Sequence, residues 1–297
     1  MGNNKNTGIC CIGHITLDKV VTPEFEVYMP GGTAYYFAKA LRNLDHRNFR
    51  LLTSLGESEY GVVEELRKEG IDVTVVPSKK SVFFENIYGH DRNNRVQKVR
   101  AKADPFMPEK VDSVDAAICH LGTLLADDFD TDTIKKLASK GMVSLDIQGF
   151  LREVIGEDVV HVDYEMKQEI MPYIHTLKAN ETEMEVLTGC CDPRQAAKVL
   201  AEWGCKEIVL TFGDKGSLIY AEGKFFEIPA IPPAKIVDAT GCGDTYMAGY
   251  LYKRSMGEGY EEAGRFAAAM CTLKLTASGP FSGTEEDILK VQTSCNK

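Results

Sequence analysis

Val237-Asp238-Ala239-Thr240-Gly241-Cys242-Gly243-Asp244 is the stretch that carries most information about the fold. Two glycines flank Cys242, and a helix-like run begins at the carboxylate of Asp244. Glycine in such a turn lets the backbone approach a ligand closely, and successive N–H groups at a helix start form a positive concavity that suits phosphate. The same residues also fit an ordinary helix start that Asp244 caps, and spacing alone does not decide between these interpretations.

Upstream of this stretch, short apolar runs alternate with polar, helix-like segments such as 33–44 and 58–69. The apolar runs are residues 8–13, 49–55, 71–76, 115–121, 142–147, 173–178 and 207–212. Buried strands separated by helices are typical of βαβ units, so the pattern predicts an α/β fold with a mostly parallel sheet. No internal repeat or linker divides the chain, and we expect a single domain over residues 1–297.

One segment breaks this alternation. Residues 81–88 and 95–100 have the composition of two β-strands and lie on either side of the polar segment 90–94, which predicts a hairpin. Such a hairpin either forms a flap over the substrate, with Asp18 beneath it, or merely extends the edge of the sheet without a functional role. Its two apolar-rich faces favour the flap, with one face closing on substrate and the other packing on a second subunit.

Composition restricts the class of protein further. The chain has 297 residues and a formal net charge of −10, which argues against a nucleic-acid-binding protein because such proteins usually have a basic surface. No apolar run approaches the roughly 18 residues of a membrane span. The nine Cys residues form no C-x-x-C motif. We therefore expect reduced thiols and a cytoplasmic protein that binds neither nucleic acid nor membrane.

The segment 238–244 resembles the Asp-Thr-x-Gly-Ala-Gly-Asp signature of the ribokinase-like (PfkB) carbohydrate kinases. Three further family motifs have counterparts in the same order: Pro30-Gly31-Gly32, Lys178-Ala179-Asn180-Glu181-Thr182-Glu183 and Thr211-Phe212-Gly213-Asp214-Lys215-Gly216. The resemblance implies a three-layer αβα fold with a central, mostly parallel sheet and a small β lid from about 19–30 and 81–101. It also implies an enzyme that moves the γ-phosphoryl group of ATP to a hydroxyl group.

The resemblance assigns the chemical step to the stretch quoted first. Asp244 corresponds to the base that accepts the proton of the attacking hydroxyl, and the N–H groups of Gly241, Cys242 and Gly243 correspond to the anion hole. These roles suit phosphoryl transfer, which depends mainly on positioning and on stabilising charge on the equatorial oxygens. Cys242 replaces the usual Ala, and we expect activity to survive this change because only the backbone of Cys242 is needed.

The donor site is implied by two other motifs. Thr211, Gly213 and Gly216 would lie along ATP together with Asn180. Asn180 and Glu183 would hold Mg²⁺, largely through water, because Mg²⁺ keeps much of its hydration shell. Without the resemblance, Glu183 would be read as part of a solvated helix face, and the glycines as part of a simple turn after a strand.

The acceptor site is implied by residues from several segments. Asp18 follows Gly13 at the spacing of the family Asp that commonly holds substrate hydroxyls, and Gly31 and Gly32 would lie beside the acceptor. Phe84 would contribute from the hairpin. Arg152, six residues after Asp146, is a candidate bidentate donor to phosphate. Without the resemblance, Asp18 fits an exposed loop acid and Arg152 an ordinary surface residue.

Three functions remain open from the sequence. The first is a kinase of a sugar or polyol, similar to fructokinases or to inositol kinases, and the second is a nucleoside kinase in which Tyr35, Tyr36 and Phe84 form a slot for a base. The third is a catalytically silent relative, against which the intact Asp244 argues. The chain has no G-x-x-x-x-G-K-[ST] and no D-F-G motif, so P-loop kinases and protein kinases are excluded.

Two further properties are implied only by the resemblance. Asp238 and Thr240 match positions that support a monovalent cation in potassium-activated relatives, but residues 279–283 do not align cleanly with the rest of that site. A requirement for K⁺ therefore stays open. The flap interpretation also predicts a homodimer built through the lid.

Overall fold

Seven parallel strands form the centre of a large sheet in the computed structural model, which describes residues 8–44, 48–89 and 95–294. Two antiparallel strands extend one edge of this sheet to nine strands. In spatial order the strands are β15 (Lys224–Ile228), β14 (Ser217–Ala221), β13 (Glu207–Thr211), β12 (Ile174–Asn180), β9 (Met142–Asp146), β8 (Ile118–Gly122), β1 (Ile9–Gly13), β4 (Phe49–Leu55) and β5 (Asp72–Pro77).

Helices cover both faces of the large sheet. Along β1, Ile9 and Cys11 belong to one hydrophobic cluster, and Cys10 and Ile12 belong to the other, because successive side chains of a strand point to opposite faces. The helices are α1 (Thr33–Leu41), α2 (Tyr60–Lys68), α3 (Thr131–Ala138), α4 (Lys167–Ile170), α5 (Glu181–Thr188), α6 (Pro193–Glu202), α7 (Cys242–Ser255), α8 (Tyr260–Leu275) and α9 (Glu285–Ser294). This arrangement is the predicted three-layer αβα fold.

A second, small sheet has six strands. In spatial order they are β10 (Arg152–Ile155), β11 (Asp158–His161), β7 (Arg95–Ala101), β6 (Val82–Tyr88), β2 (Thr16–Val21) and β3 (Glu26–Gly31). The predicted hairpin is present as β6 and β7, which pair antiparallel. Its turn, residues 90–94, lies outside the described residues.

Two hairpins of the structure were not predicted. Strands β10 and β11 pair across a turn that contains Gly156 (φ 67°), and β14 and β15 pair across Glu222 (φ 51°) and Gly223 (φ 75°). Gly-Glu and Glu-Gly are weaker hairpin signals than Asn-Gly or Asp-Gly, which explains why both turns were overlooked.

In the part of the chain that the structure describes, no helix combines the length and the apolar character that crossing a membrane requires.

Candidate active site

The turn that opens α7 has room only for glycine at its first position. Gly241 caps the helix in the left-handed region (φ 76°), and a Cβ atom there would overlap the ring of Tyr36 in α1. Cys242 and Gly243 are the first residues of the helix. The Cys242 N–H donates to the carbonyl of Ala239 (3.2 Å). The predicted three-donor anion hole therefore requires this N–H to share or leave its bond within the turn.

Asp244 lies in the first turn of α7, partly exposed and among other charged side chains. Burial and the negative charge of Asp146 raise the pKa of Asp244 to about 8, although the positive charges of Lys178 and Arg152 act in the opposite direction. A carboxylate with a pKa near neutrality is well matched to accepting a proton from a hydroxyl group. The environment therefore suits the predicted role of Asp244 as the base.

Lys178, near the end of β12, contacts two of the carboxylates around Asp244. Its Nζ is 3.0 Å from Oδ2 of Asp146 and 3.6 Å from Oε2 of Glu183, and all three side chains are buried. Burial alone would lower the pKa of Lys178, but the two carboxylates outweigh this effect and raise the pKa. A Cβ atom on Gly243 would lie 3.3 Å from Nζ. A fixed positive charge thus lies beside the turn that opens α7.

Asn180 and Glu183 form the N-terminal cap of α5. Oδ1 of Asn180 accepts from the Glu183 N–H (2.9 Å), and Oε2 of Glu183 accepts from the Asn180 N–H (2.7 Å). This reciprocal pair is a capping box, which accounts for the Asn-x-x-Glu spacing without any ligand. A role in binding Mg²⁺ stays a prediction.

No group of three His, Cys, Asp or Glu side chains within residues 8–44, 48–89 and 95–294 is arranged to hold a metal ion. Magnesium that keeps several waters and binds substrate phosphates needs only one or two carboxylates from the protein. Glu183, buried beside Lys178, fits such a limited role better than that of one ligand among several.

Asp18 lies within the small sheet, on β2. Its Oδ1 accepts a hydrogen bond from the hydroxyl of Thr16 (2.6 Å), and its Oδ2 faces Gly31, where a Cβ atom would collide with it. Gly32 caps α1 with a φ of 91°. The hypothesis that placed Asp18 beneath the hairpin is wrong in this respect, because β2 pairs directly with β6 and Asp18 stands opposite Phe84 in register.

Phe84 is buried, with 3% of its surface exposed. It lies in a hydrophobic cluster that also contains Val82, Val99, Leu124 and Leu125. Tyr35 packs against a different cluster, and its ring and the Tyr36 ring meet edge to face at 5.7 Å between centroids. Phe84 and Tyr35, two of the three rings considered for a nucleoside slot, are therefore packed in separate places in this conformation.

The loop after β13 contains the predicted nucleotide-binding residues. Thr211 ends β13 and pairs in register with Asn180 at the end of β12. Gly213 (φ 58°) and Gly216 (φ 93°) both adopt left-handed conformations, and the Phe212 N–H donates to the Gly216 carbonyl (2.8 Å). The structure thus brings Thr211 next to Asn180, as the donor-site prediction requires.

Arg152 is the first residue of β10 and lies within electrostatic reach of Asp244, since its charge lowers the pKa of that carboxyl. Sequence reasoning gave no role to Asp146 or Lys178, although both lie inside the segments it discussed. The available signal was a charged residue at the end of an otherwise apolar strand. The two residues meet because β9 and β12 are neighbours in the sheet and pair in register at these positions.

Known proteins resemble this chain along nearly its whole length. Residues 6–287 match the pfkB family carbohydrate kinases. The cytidine kinase of Thermococcus kodakarensis is 29% identical over 281 residues, which cover 92% of this chain and 98% of that relative. A solved structure of a pyrophosphate-dependent myo-inositol-1 kinase, converted to a myo-inositol-3 kinase by substitution, is 26% identical with a TM-score of 0.84, covering 96% of this chain and 99% of that one.

The ribokinase of Arabidopsis thaliana, solved with ribose and ATP, has the same fold. It is 22% identical, with a TM-score of 0.77 over 96% of this chain and 98% of that one. The resemblance, the αβα fold and the class of enzyme predicted from the sequence are confirmed by these matches. Because the matched region includes the turn before α7 and the charged cluster around Asp244, the chain belongs to the pfkB family of carbohydrate kinases.

Proposed function

We propose that this enzyme transfers the γ-phosphoryl group of ATP to a hydroxyl group of a sugar or polyol, with Asp244 as the base. The observation that carries the proposal is the raised pKa of Asp244 at the start of α7. The carboxylate accepts the hydroxyl proton, the hydroxyl oxygen bonds to the γ-phosphorus, and the bond from that phosphorus to the bridging oxygen of ADP breaks. Lys178 and the N-terminus of α7 supply positive potential to the transferred group.

The donor is held along the loop after β13, by Thr211, Gly213 and Gly216. Gly213 has open space beside its Cα and leaves the backbone accessible to phosphate or ribose, whereas Gly216 allows the loop to pack closely on the backbone of Ile228. Glu183 and Asn180 would hold Mg²⁺, which when bound would offset negative charge on the phosphates.

The acceptor lies between the small sheet and the start of α7. Asp18 binds two of its hydroxyl groups, Gly31 and Gly32 let it approach the backbone, and Arg152 orients it or its phosphorylated product. The closed packing of Phe84 against its cluster favours a compact polyhydroxy acceptor over one that carries a base.

A second candidate acceptor is a nucleoside. The observation that favours it is the similarity to the cytidine kinase of T. kodakarensis over 92% of this chain. This acceptor would require Phe84 or Tyr36 to move and expose a ring face for stacking.

A panel assay separates these candidates. Release of ADP from Mg-ATP is measured with ribose, fructose, myo-inositol, cytidine and inosine, with the Asp244→Asn variant as the blank. We expect a sugar or polyol to have a kcat/KM at least tenfold above every nucleoside. A preference for cytidine would replace the proposal with the second candidate, and a folded enzyme inactive with every acceptor would overturn both.

The same panel with pyrophosphate in place of ATP tests the donor. The similarity to a pyrophosphate-dependent myo-inositol-1 kinase makes this a necessary arm. We expect turnover with ATP, and turnover with pyrophosphate alone would contradict the assignment of a nucleotide site to Thr211, Gly213 and Gly216.

We also propose that the small sheet is a lid and the surface of a homodimer. Its inner face is packed around Phe84, whereas its outer face exposes apolar side chains. The pairing registers place these exposed side chains on one face: Tyr28, Val96, Ile155 and Val160. Charged side chains of the same face, Lys19, Glu85 and Lys98, lie between these apolar ones, and interfaces between proteins commonly combine apolar and polar contacts in this way.

Light scattering tests the dimer. We expect the enzyme to have about twice the chain mass of 32.8 kDa, and Tyr28→Glu together with Val96→Glu to reduce it to the mass of one chain. Leu289→Glu, on an exposed position of α9, is the matched control. A wild-type enzyme of 32.8 kDa would contradict the dimer, and an unchanged acceptor KM in Phe84→Ala would contradict the lid.

A further inference from the structure

Lys274 lies in the last turn of α8, and its side chain has no solvent exposure. Its Nζ donates to the backbone carbonyl of Asp238 (2.8 Å) and approaches Oδ2 of the same residue (3.4 Å) and the carbonyl of Ala277 (3.5 Å). An ammonium group has three N–H donors and no acceptor. Lys274 therefore lies in a cage of three oxygens that come from two separate segments of the chain.

Burying the positive charge of Lys274 is unfavourable unless its oxygen partners compensate for the lost water. A buried charge is retained only where it is paired and hydrogen-bonded, because removing it from water is strongly unfavourable. A carboxylate and two carbonyl oxygens are acceptors only, so the cage suits a cation of single charge. In this chain that cation is the ammonium group of Lys274, which is part of the protein itself.

The cage is connected to the turn that opens α7. Oδ1 of Asp238 accepts from the Thr240 N–H (2.9 Å), one residue before Gly241, and Oδ2 accepts from the Gly279 N–H (3.2 Å). The Val237 N–H donates to the carbonyl of Leu275 (2.7 Å). The ammonium thus holds the segment before Gly241 against the end of α8, and it does so through the same carboxylate that orders the Thr240 N–H.

We propose that Lys274 is an internal monovalent cation that positions the turn before α7, so that the kinase works without potassium. Removing the ammonium while leaving its space empty should create a site for K⁺ or NH₄⁺. The catalytic part of this inference rests on the proposed phosphoryl transfer, whereas the cation site itself does not. Lys274 is a positioning residue in this scheme and does not touch the reacting atoms.

Two variants at one position test the proposal. Lys274→Ala leaves a space that a cation can fill, whereas Lys274→Met keeps most of the side-chain volume without the charge. At equal ionic strength in choline chloride, we expect both variants to lose at least tenfold in kcat. Potassium or ammonium chloride should restore Lys274→Ala at least fivefold and leave Lys274→Met unchanged.

The wild-type enzyme and the exposed Lys290→Ala variant are the controls. Their kcat should agree within twofold in potassium, sodium and choline chloride. A wild-type enzyme that requires potassium would overturn the proposal, as would a Lys274→Met variant with full kcat in choline.

Thermal unfolding gives a measurement that needs no turnover. The Tm of Lys274→Ala should rise by several degrees when potassium or ammonium replaces choline, and the Tm of the wild-type enzyme should not. A purified Lys274→Ala variant with the same Tm in all three salts would overturn the cation site, whatever the acceptor panel shows. If the acceptor panel fails but this shift appears, the phosphoryl-transfer assignment alone is lost.

Discussion

Two charged clusters lie at opposite ends of the large sheet, and they differ in how well their charges are matched. At the carboxyl ends of the strands, three carboxylates (Asp146, Glu183 and Asp244) share two cations, Lys178 and Arg152. At the amino ends, Glu207 is bound by Arg254 (2.7 Å between Oε1 and Nη2) and by the Tyr250 hydroxyl (2.8 Å). The first cluster has an excess of carboxylates, whereas the second pairs its carboxylate on both oxygens.

This difference separates reactivity from stability. Burial and the nearby negative charge of Asp146 keep the pKa of Asp244 high, and a base with a raised pKa accepts protons readily. The matched cluster around Glu207 leaves no comparable group for chemistry, and it joins β13 to the end of α7. Substitutions at the two ends should therefore affect different measured quantities.

The largest expected effect is the loss of activity in Asp244→Asn. Loss of a general base typically costs about 10²–10⁴ in rate, and ATP binding should stay within a few-fold because the amide keeps the shape of the side chain. Steady-state kinetics and isothermal titration with ATP measure the two quantities. Near-normal kcat in the variant would exclude Asp244 as the base.

The same variant should reveal the cost of keeping this carboxylate. Because the pKa of Asp244 is raised in the folded state, its contribution to stability is fully present below the unfolded pKa and is lost progressively as pH rises through the folded pKa of about 8. Asn cannot ionise, so the Tm difference between variant and wild type should grow in favour of the variant from pH 5 to pH 9.

Lys178→Met should have the next largest effect. It removes a positive charge beside Gly243, for which we expect about a 10²-fold loss in kcat. Lys178 also lowers the pKa of Asp244, so its loss should move the alkaline rise of the kcat/KM profile above the wild-type position near pH 8. A slower enzyme with an unshifted pH profile would mean that the two groups are not coupled.

Glu207→Gln should leave kcat within about twofold but reduce stability. Breaking a buried ion pair commonly costs about 3 kcal/mol or more, and chemical denaturation measures the loss. Glu227→Gln is the matched control, because its pair with Arg194 is exposed and such pairs contribute roughly 1 kcal/mol or less. A strong loss of kcat in folded Glu207→Gln would contradict the separation of the two clusters.

Cys242→Ala should have the smallest effect, with kcat within about twofold, because the backbone N–H and the helix start are retained. The thiol lies at the reactive end of the molecule, however, and alkylation should inhibit the wild-type enzyme by placing bulk in the path of the phosphoryl group. Inactivation by iodoacetamide, compared between wild type and variant, tests this. A large kcat loss in the variant would implicate the thiol itself.

The sequence was sufficient for the fold and for the position of Asp244 at a helix start, because both depend on local patterns. Apolar strands, the glycine turn and the capping pair Asn180 and Glu183 are all set within a few residues. Lys178, Asp146 and Lys274 were missed because each acquires its partner from a distant segment. Which strands become neighbours, and which lysine ends up without solvent, depends on packing that no local pattern records.

The contact between Gly241 and the ring of Tyr36 has a consequence for how such sequences diverge. Any side chain at 241 meets both the ring and a left-handed backbone, which costs a non-glycine residue about 1–2 kcal/mol. A smaller residue at 36 removes the first obstacle but not the second. The order of mutations therefore matters. Replacement of Tyr36 by a smaller residue must precede replacement of Gly241, and we expect Gly241 to stay unchanged in lineages that keep Tyr36.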